Sequence, residues 1–168
     1  MSLPDRLIVD TGVLIDYLRG RPGYPALESV SEIYLQAMVL AELQIGWLRA
    51  HGSPHRQIWR FEDLVSTMFF LPILRSTVSF YIEVRRNLEL VNAIIPENDL
   101  WIAATAKEHD LPLLTSDDHF GRVAGITVLD PHDFEIDLGF NISPEPCFKA
   151  AEAYFGAKKN WVQSRVVL

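Results

Sequence analysis

Residues 95–120 confine the chain to a helix that runs into a buried strand, with acids at both ends. Asn98 and Asp99 stand where the helix would start, and side-chain oxygens there commonly cap free backbone donors. Leu100, Ile102, Ala103, Ala104 and Ala106 then make a helix of small residues that can lie close against a sheet. His109-Asp110-Leu111-Pro112 stops it, since proline lacks the amide donor and disfavours helix at the residue before it. Leu113-Leu114-Thr115 reads as a short strand, and Ser116-Asp117-Asp118 leaves its C-terminal end. This is half of a βαβ unit, and other acids must reach the same place if it is to be a site.

The rest of the chain supplies matching halves. Leu7-Ile8-Val9 is a continuous apolar run, as in a strand buried on both faces. Asp10-Thr11 follows it, and Val13, Leu14, Ile15, Tyr17 and Leu18 continue with helical spacing until Gly20 and Pro22. A short helix is expected over 24–30, a strand at Ile33-Tyr34-Leu35, and a helix over 37–50 that carries Glu42 in its early turns. Gly52-Ser53-Pro54 breaks that helix and admits another over about 55–67. Phe69-Phe70-Leu71 is the third strand, Ser76 or Thr77 caps a helix toward Val91, and Ile126–Leu129 is the last strand. Strands alternating with helices predict an α/β protein, a three-layer α/β/α sandwich on a mainly parallel sheet.

A chain of 168 residues is expected to hold one main domain. The boundary is expected near residue 134, with 135–168 a C-terminal extension whose aromatic helical stretch, 146–161, is expected to pack on the same domain, a partner-binding arm being the alternative. No apolar run is long enough for a membrane span, and the single cysteine, Cys147, excludes an intrachain disulfide; a cytoplasmic location is expected. A net charge of −7 argues against a general nucleic-acid coat, though a nuclease with a small acidic site is compatible with it.

In open parallel sheets, ligands bind beyond the C-terminal ends of the strands. Asp10 and Asp117 leave two such ends, and Glu42 and Asp99 lie in early helical turns at the same rim. Each alone reads as a cap, a turn or a solvated helix face. Together they repel, by about 2–3 kcal/mol for two carboxylates about 6 Å apart at an effective dielectric of about 20. Divalent cations relieve such repulsion, and oxygen ligands with neither cysteine nor a histidine pair select Mg²⁺ or Mn²⁺ over Zn²⁺. Carboxylate-held magnesium points to phosphate chemistry with metal-activated water. Thr11 and Thr115 stand ready to support the acids with hydroxyl hydrogen bonds, and Asp118 adjoins Asp117.

Four segments, in order, resemble the PIN-domain family, and most of all its single-domain VapC-type toxin ribonucleases. They are residues 7–15 with the first acid, 39–46 with Glu42 and a closing Gly46, 98–106 with Asp99, and 113–120 with Asp117 two residues after a threonine. The resemblance implies a Mg²⁺- or Mn²⁺-dependent endoribonuclease whose metal-binding acids are Asp10, Glu42, Asp99 and Asp117. It also implies a homodimer held inactive by a small cognate antitoxin, and an RNA substrate such as transfer or ribosomal RNA. Two departures stand out: Gly12 replaces the usual Asn or Ser beside the first acid, and the tail extends past the usual end of the core.

Arg49, Arg56, Arg85 and Arg86 are candidates to hold RNA phosphates, with solvated helix faces as the alternative. His119 stands beside the acids, where it could contact phosphate, but reads first as a surface turn histidine; His51 and His55 are not aligned for a metal because Gly52-Ser53-Pro54 intervenes. The rival functions are an RNA-processing nuclease without an antitoxin and a non-catalytic binding module. An aspartyl phosphatase is disfavoured, because the second Asp of that signature would stand at Gly12.

Overall fold

The computed structural model describes residues 3–18, 27, 29–51 and 65–134, with the side chains of 18 and 47–51 outside that description. Most of the helices expected over 24–30 and 55–67, the extension 135–168, Arg56 and the side chain of Arg49 therefore lie outside the described residues.

The first strand, β1 (Arg6–Val9), is followed by α1 (Thr11–Leu18), with Asp10 alone between them. Next come β2 (Glu32–Gln36), α2 (Ala37–His51) and β3 (Phe69–Leu71). Two helices, α3 (Arg75–Leu90) and α4 (Glu97–Glu108), precede β4 (Leu113–Leu114). A 3₁₀ turn over Asp118–Arg122, β5 (Val128–Leu129) and a 3₁₀ turn over Pro131–Phe134 complete the described chain.

All four pairings are parallel, in the order β3-β2-β1-β4-β5. Parallel strands need helical crossovers, and crossovers are right-handed. The chain steps one way from β1 through β2 to β3, then returns past β1 to β4 and β5. That reversal puts α1 and α2 on one face and α3 and α4 on the other, which makes the sandwich. It also opens a crevice between the C-terminal ends of β1 and β4, where the strand order reverses.

The central strands are apolar throughout because both faces are covered. Leu7, Ile8, Val9 and Leu113 have no exposed surface, and Leu114 has 1%. Helix α4 presents Leu100, Ile102, Ala103, Ala104 and Ala106, all buried, so its backbone comes close to the sheet as the small residues predict.

Local details differ from expectation at two helix ends, and the end of α4 falls where expected. Helix α3 begins at Arg75 behind Leu74, which has no side-chain acceptor; the Thr77 hydroxyl instead accepts the Leu74 N–H at 2.9 Å. Thr77 thus sits inside the first turn and serves it from there. Helix α4 ends before Pro112: Asp110 takes a left-handed conformation (φ 49°), and the Leu111 N–H closes the turn on the Ala106 carbonyl at 3.0 Å. Helix α2 passes through Gly46 to His51, so that glycine does not close it.

Candidate active site

Asp10 lies between β1 and α1, where the backbone leaves the sheet at the crevice. It is buried to 9% exposure, yet both its oxygens have donors. Oδ1 accepts the Thr11 N–H at 2.6 Å and Oδ2 accepts the Thr115 hydroxyl at 2.8 Å. Thr115 is the first residue past β4, so this bond closes the gap between the strands on either side of the reversal. The same hydroxyl accepts the Asp117 N–H at 3.0 Å, which holds the next turn in place.

Glu42 reaches the rim from α2. Its Oε2 accepts the Thr11 hydroxyl at 2.6 Å, and its Oε1 accepts the Asn98 side-chain amide at 2.6 Å. Three helices therefore meet on one carboxylate. Neither Asn98 nor Asp99 caps α4: the cap position is Pro96, and no side chain bonds the first-turn donors. The capping expectation fails because proline sets the entry to the helix (φ −53°, ψ 151°), leaving Asn98 free to turn outward to Glu42.

Asp117 caps the following 3₁₀ turn, its Oδ1 accepting the His119 N–H at 2.8 Å. Asp99 projects from the first turn of α4 into the same space. One ligand-capable atom each from Asp99, Asp117 and His119 lie within 4.8 Å of one another. His119 lies in the turn as expected and is half-buried, with its Nδ1 shielded from solvent beside the acids. Asp118 is exposed at the start of the 3₁₀ turn and lies outside this group.

The electrostatics follow from the packing. Burial pushes the Asp10 carboxyl up from its ordinary value, the Thr115 and Thr11 hydrogen bonds pull it back, and Asp117 and Glu42 push it up again. The Asp99 carboxyl is pushed up to about 6, first by burial and then by the charges of Asp10, Asp117 and Glu42, with His119 opposing. Asp99 thus feels the charges of the other three acids, and Asp10 those of Asp117 and Glu42.

The arginines divide. Arg85 is engaged by Glu89 and Glu97, each at 3.0 Å, and donates to the Tyr81 hydroxyl at 3.1 Å, which leaves it braced within α3 and the start of α4. Arg86 is exposed. Asn98 and His119 are the residues that sequence reasoning undervalued; the signal for Asn98 was a polar amide adjoining an acid, behind a proline that makes a side-chain cap unnecessary.

The PIN domain family profile matches residues 7–126. The ribonuclease VapC of Rickettsia bellii is 33% identical over 126 residues, which is 73% of this chain and 94% of that protein. The toxin FitB of Neisseria gonorrhoeae is 28% identical over 138 residues, 76% of this chain and 99% of that protein. The crystal structure of FitAcB from Neisseria gonorrhoeae superposes with a TM-score of 0.65 at 28% identity, covering 74% of this chain and 97% of that one.

Proposed function

This chain belongs to the PIN domain family, and from that premise we propose that it is the toxin of a toxin–antitoxin pair, an endoribonuclease that uses Mg²⁺ or Mn²⁺. The observation that carries the reading is the meeting of Asp10, Glu42, Asp99 and Asp117 at the crevice where the strand order reverses. The similar proteins named as a ribonuclease and as a toxin support it, as does the likeness to FitAcB.

The donor set fits a hard divalent cation: carboxylate oxygens, two of which, on Asp10 and Asp99, hold their protons more tightly because burial and neighbouring acids disfavour the ionised form. Asp10, Asp99 and Asp117 would hold it, with Glu42 at the edge of the group. When bound, such an ion activates water and stabilises charge on the phosphodiester. The protein's own part is positioning. Thr115 holds Asp10 and, through the Asp117 N–H, sets the distance between the two strand ends. Thr11 and Asn98 fix both oxygens of Glu42, so its orientation is set before substrate arrives.

The substrate is RNA, with Arg86 and the arginines at 49 and 56 as phosphate contacts. An antitoxin would cover the acid cleft. A homodimer is supported by an exposed apolar row on one face of α3 and its entry: Leu74, Val78 and Ile82, at 37%, 40% and 59% exposure. No helix among the described residues is long and apolar enough to cross a membrane.

The test is incubation of the purified chain with cellular RNA and Mg²⁺ or Mn²⁺, followed by sequencing of the new ends. Cleavage at defined sites that stops on chelation is expected, together with growth arrest on expression that an adjacent small gene relieves. Cleavage that survives chelation overturns the metal reading, and arrest that no neighbouring gene relieves favours an RNA-processing nuclease.

A further inference from the structure

The four acids leave one nitrogen at the site unexplained. His119 has a ring nitrogen in the space it shares with Asp99 and Asp117, and its Nδ1 lies toward Asp117. That atom is shielded from solvent and has no hydrogen-bond partner among the described residues, although the side chain as a whole is 42% exposed. Asp117 Oδ1 is 3.1 Å away, but the two are not aligned as donor and acceptor. The oxygen already accepts the backbone N–H of His119 at 2.8 Å.

A neutral His119 with its Nδ1 lone pair toward this oxygen needs a cation beside both atoms, whereas an imidazolium would pair with Asp117 directly. Neighbouring ligands of an octahedral ion with bonds of about 2.1 Å stand about 3.0 Å apart, which is close to the separation here. The backbone holds the pair in this arrangement. Phe120 is fully buried next to His119, its N–H bonds the Asp117 carbonyl at 3.3 Å, and the 3₁₀ turn carries both side chains.

We infer that His119 is a metal ligand, joining Asp99 and Asp117 on one divalent ion through Nδ1. The inference rests on the metal-nuclease reading above and adds to it a selectivity. A nitrogen donor favours a first-row transition ion such as Mn²⁺, whereas Mg²⁺ prefers oxygen and gives up its water reluctantly. The site then discriminates between the two ions by one side chain that is not a carboxylate.

The experiment is pulsed electron paramagnetic resonance on the full chain loaded with Mn²⁺ alone, with titrations of Mn²⁺ and of competing Mg²⁺. A nitrogen coupled directly to Mn²⁺ is expected in the native protein and absent in His119→Ala and His119→Gln. Both variants should weaken Mn²⁺ binding at least about 10-fold and Mg²⁺ binding less than about 3-fold. Unchanged melting of His119→Gln without metal excludes misfolding as the cause. Mn²⁺ bound by oxygen alone, or a nitrogen coupling that persists in His119→Ala, overturns the assignment while leaving the nuclease reading intact. Failure of the native chain to bind either ion overturns both.

Discussion

Asp10 and Glu42 on one side of the cleft, and Asp99 and Asp117 on the other, carry the same functional group in opposite circumstances. Every oxygen of the first pair has a donor: Thr11 N–H and Thr115 for Asp10, Thr11 hydroxyl and Asn98 for Glu42. Among the described residues the second pair faces one turn amide, the N–H of His119, with the ring of His119 beside Asp117 and the charges of the other acids around it. A carboxylate supplied with donors keeps its geometry with or without a cation. One supplied with like charges keeps it only when a cation or a proton arrives. The first pair is thus the framework of the site and the second is its receptor for charge.

The sharpest way to break this comparison is to neutralise the receptor. Asp99→Asn or Asp117→Asn should lower RNA cleavage by about 10³-fold or more, because several kcal/mol of charge stabilisation is lost. Folding should survive in both, as shown by unchanged circular dichroism. Residual cleavage within a few-fold of native would mean that the framework acids suffice.

Thr115→Val probes the framework. The substitution keeps the volume and removes a buried hydroxyl that donates to Asp10 and accepts from Asp117 N–H. Stability should fall by about 1–3 kcal/mol, read by urea unfolding, because Asp10 is left buried with one donor fewer. Cleavage should fall about 10–100-fold through misplaced acids. A loss of activity with no loss of stability would mean that the hydroxyl touches the reacting groups directly.

The chain's order of elements made the sheet legible, since each strand is a short, largely apolar run and the first three are each followed by a helix. The four acids were legible as a group because the parallel topology sends every strand's C-terminal end to one rim. What could not be read was the division of labour among them. That depends on which donors reach which oxygen, and the reach of Asn98 to Glu42 spans 56 residues of sequence. The roles of Asn98 and His119 hinge on two backbone details, a proline at a cap position and a 3₁₀ turn behind Asp117. Neither leaves a periodic signature. The start of α3 differs from expectation for a related reason: Thr77 serves the first turn from inside it and not from the cap position.

A smaller effect is expected in the pH dependence of the metal-free chain. The Asp99 carboxyl rises from 3.8 to about 6 on folding, so the folded chain binds this proton more tightly than the unfolded one. Stability from this group is therefore full below pH 4 and is lost as pH rises through about 6. The loss should be about 1 kcal/mol, discounted because Asp99 is half-exposed and screened by solvent. Unfolding of native protein and Asp99→Asn, both chelated, should differ across that window, with the variant gaining on the native chain toward neutral pH. Equal pH profiles would show that burial and the neighbouring acids together do not raise the Asp99 carboxyl.

The smallest effect concerns Gly12, the one position where the framework departs from its family's usual Asn or Ser. It lies in the first turn of α1 and does not take a positive φ, so no backbone strain requires glycine there. A side chain would meet Asp10 Oδ2 and Ser116 Oγ at 3.8 Å, which is ordinary contact. Gly12→Ser should therefore raise stability by about 0.5 kcal/mol, the difference in helix preference. Cleavage should change less than about 3-fold, under 1 kcal/mol on the barrier, because both Asp10 oxygens already have donors. A large gain in cleavage would mean that Asp10 is held less firmly than its two hydrogen bonds imply. The framework would then share the dependence on added partners that marks the other side of the cleft.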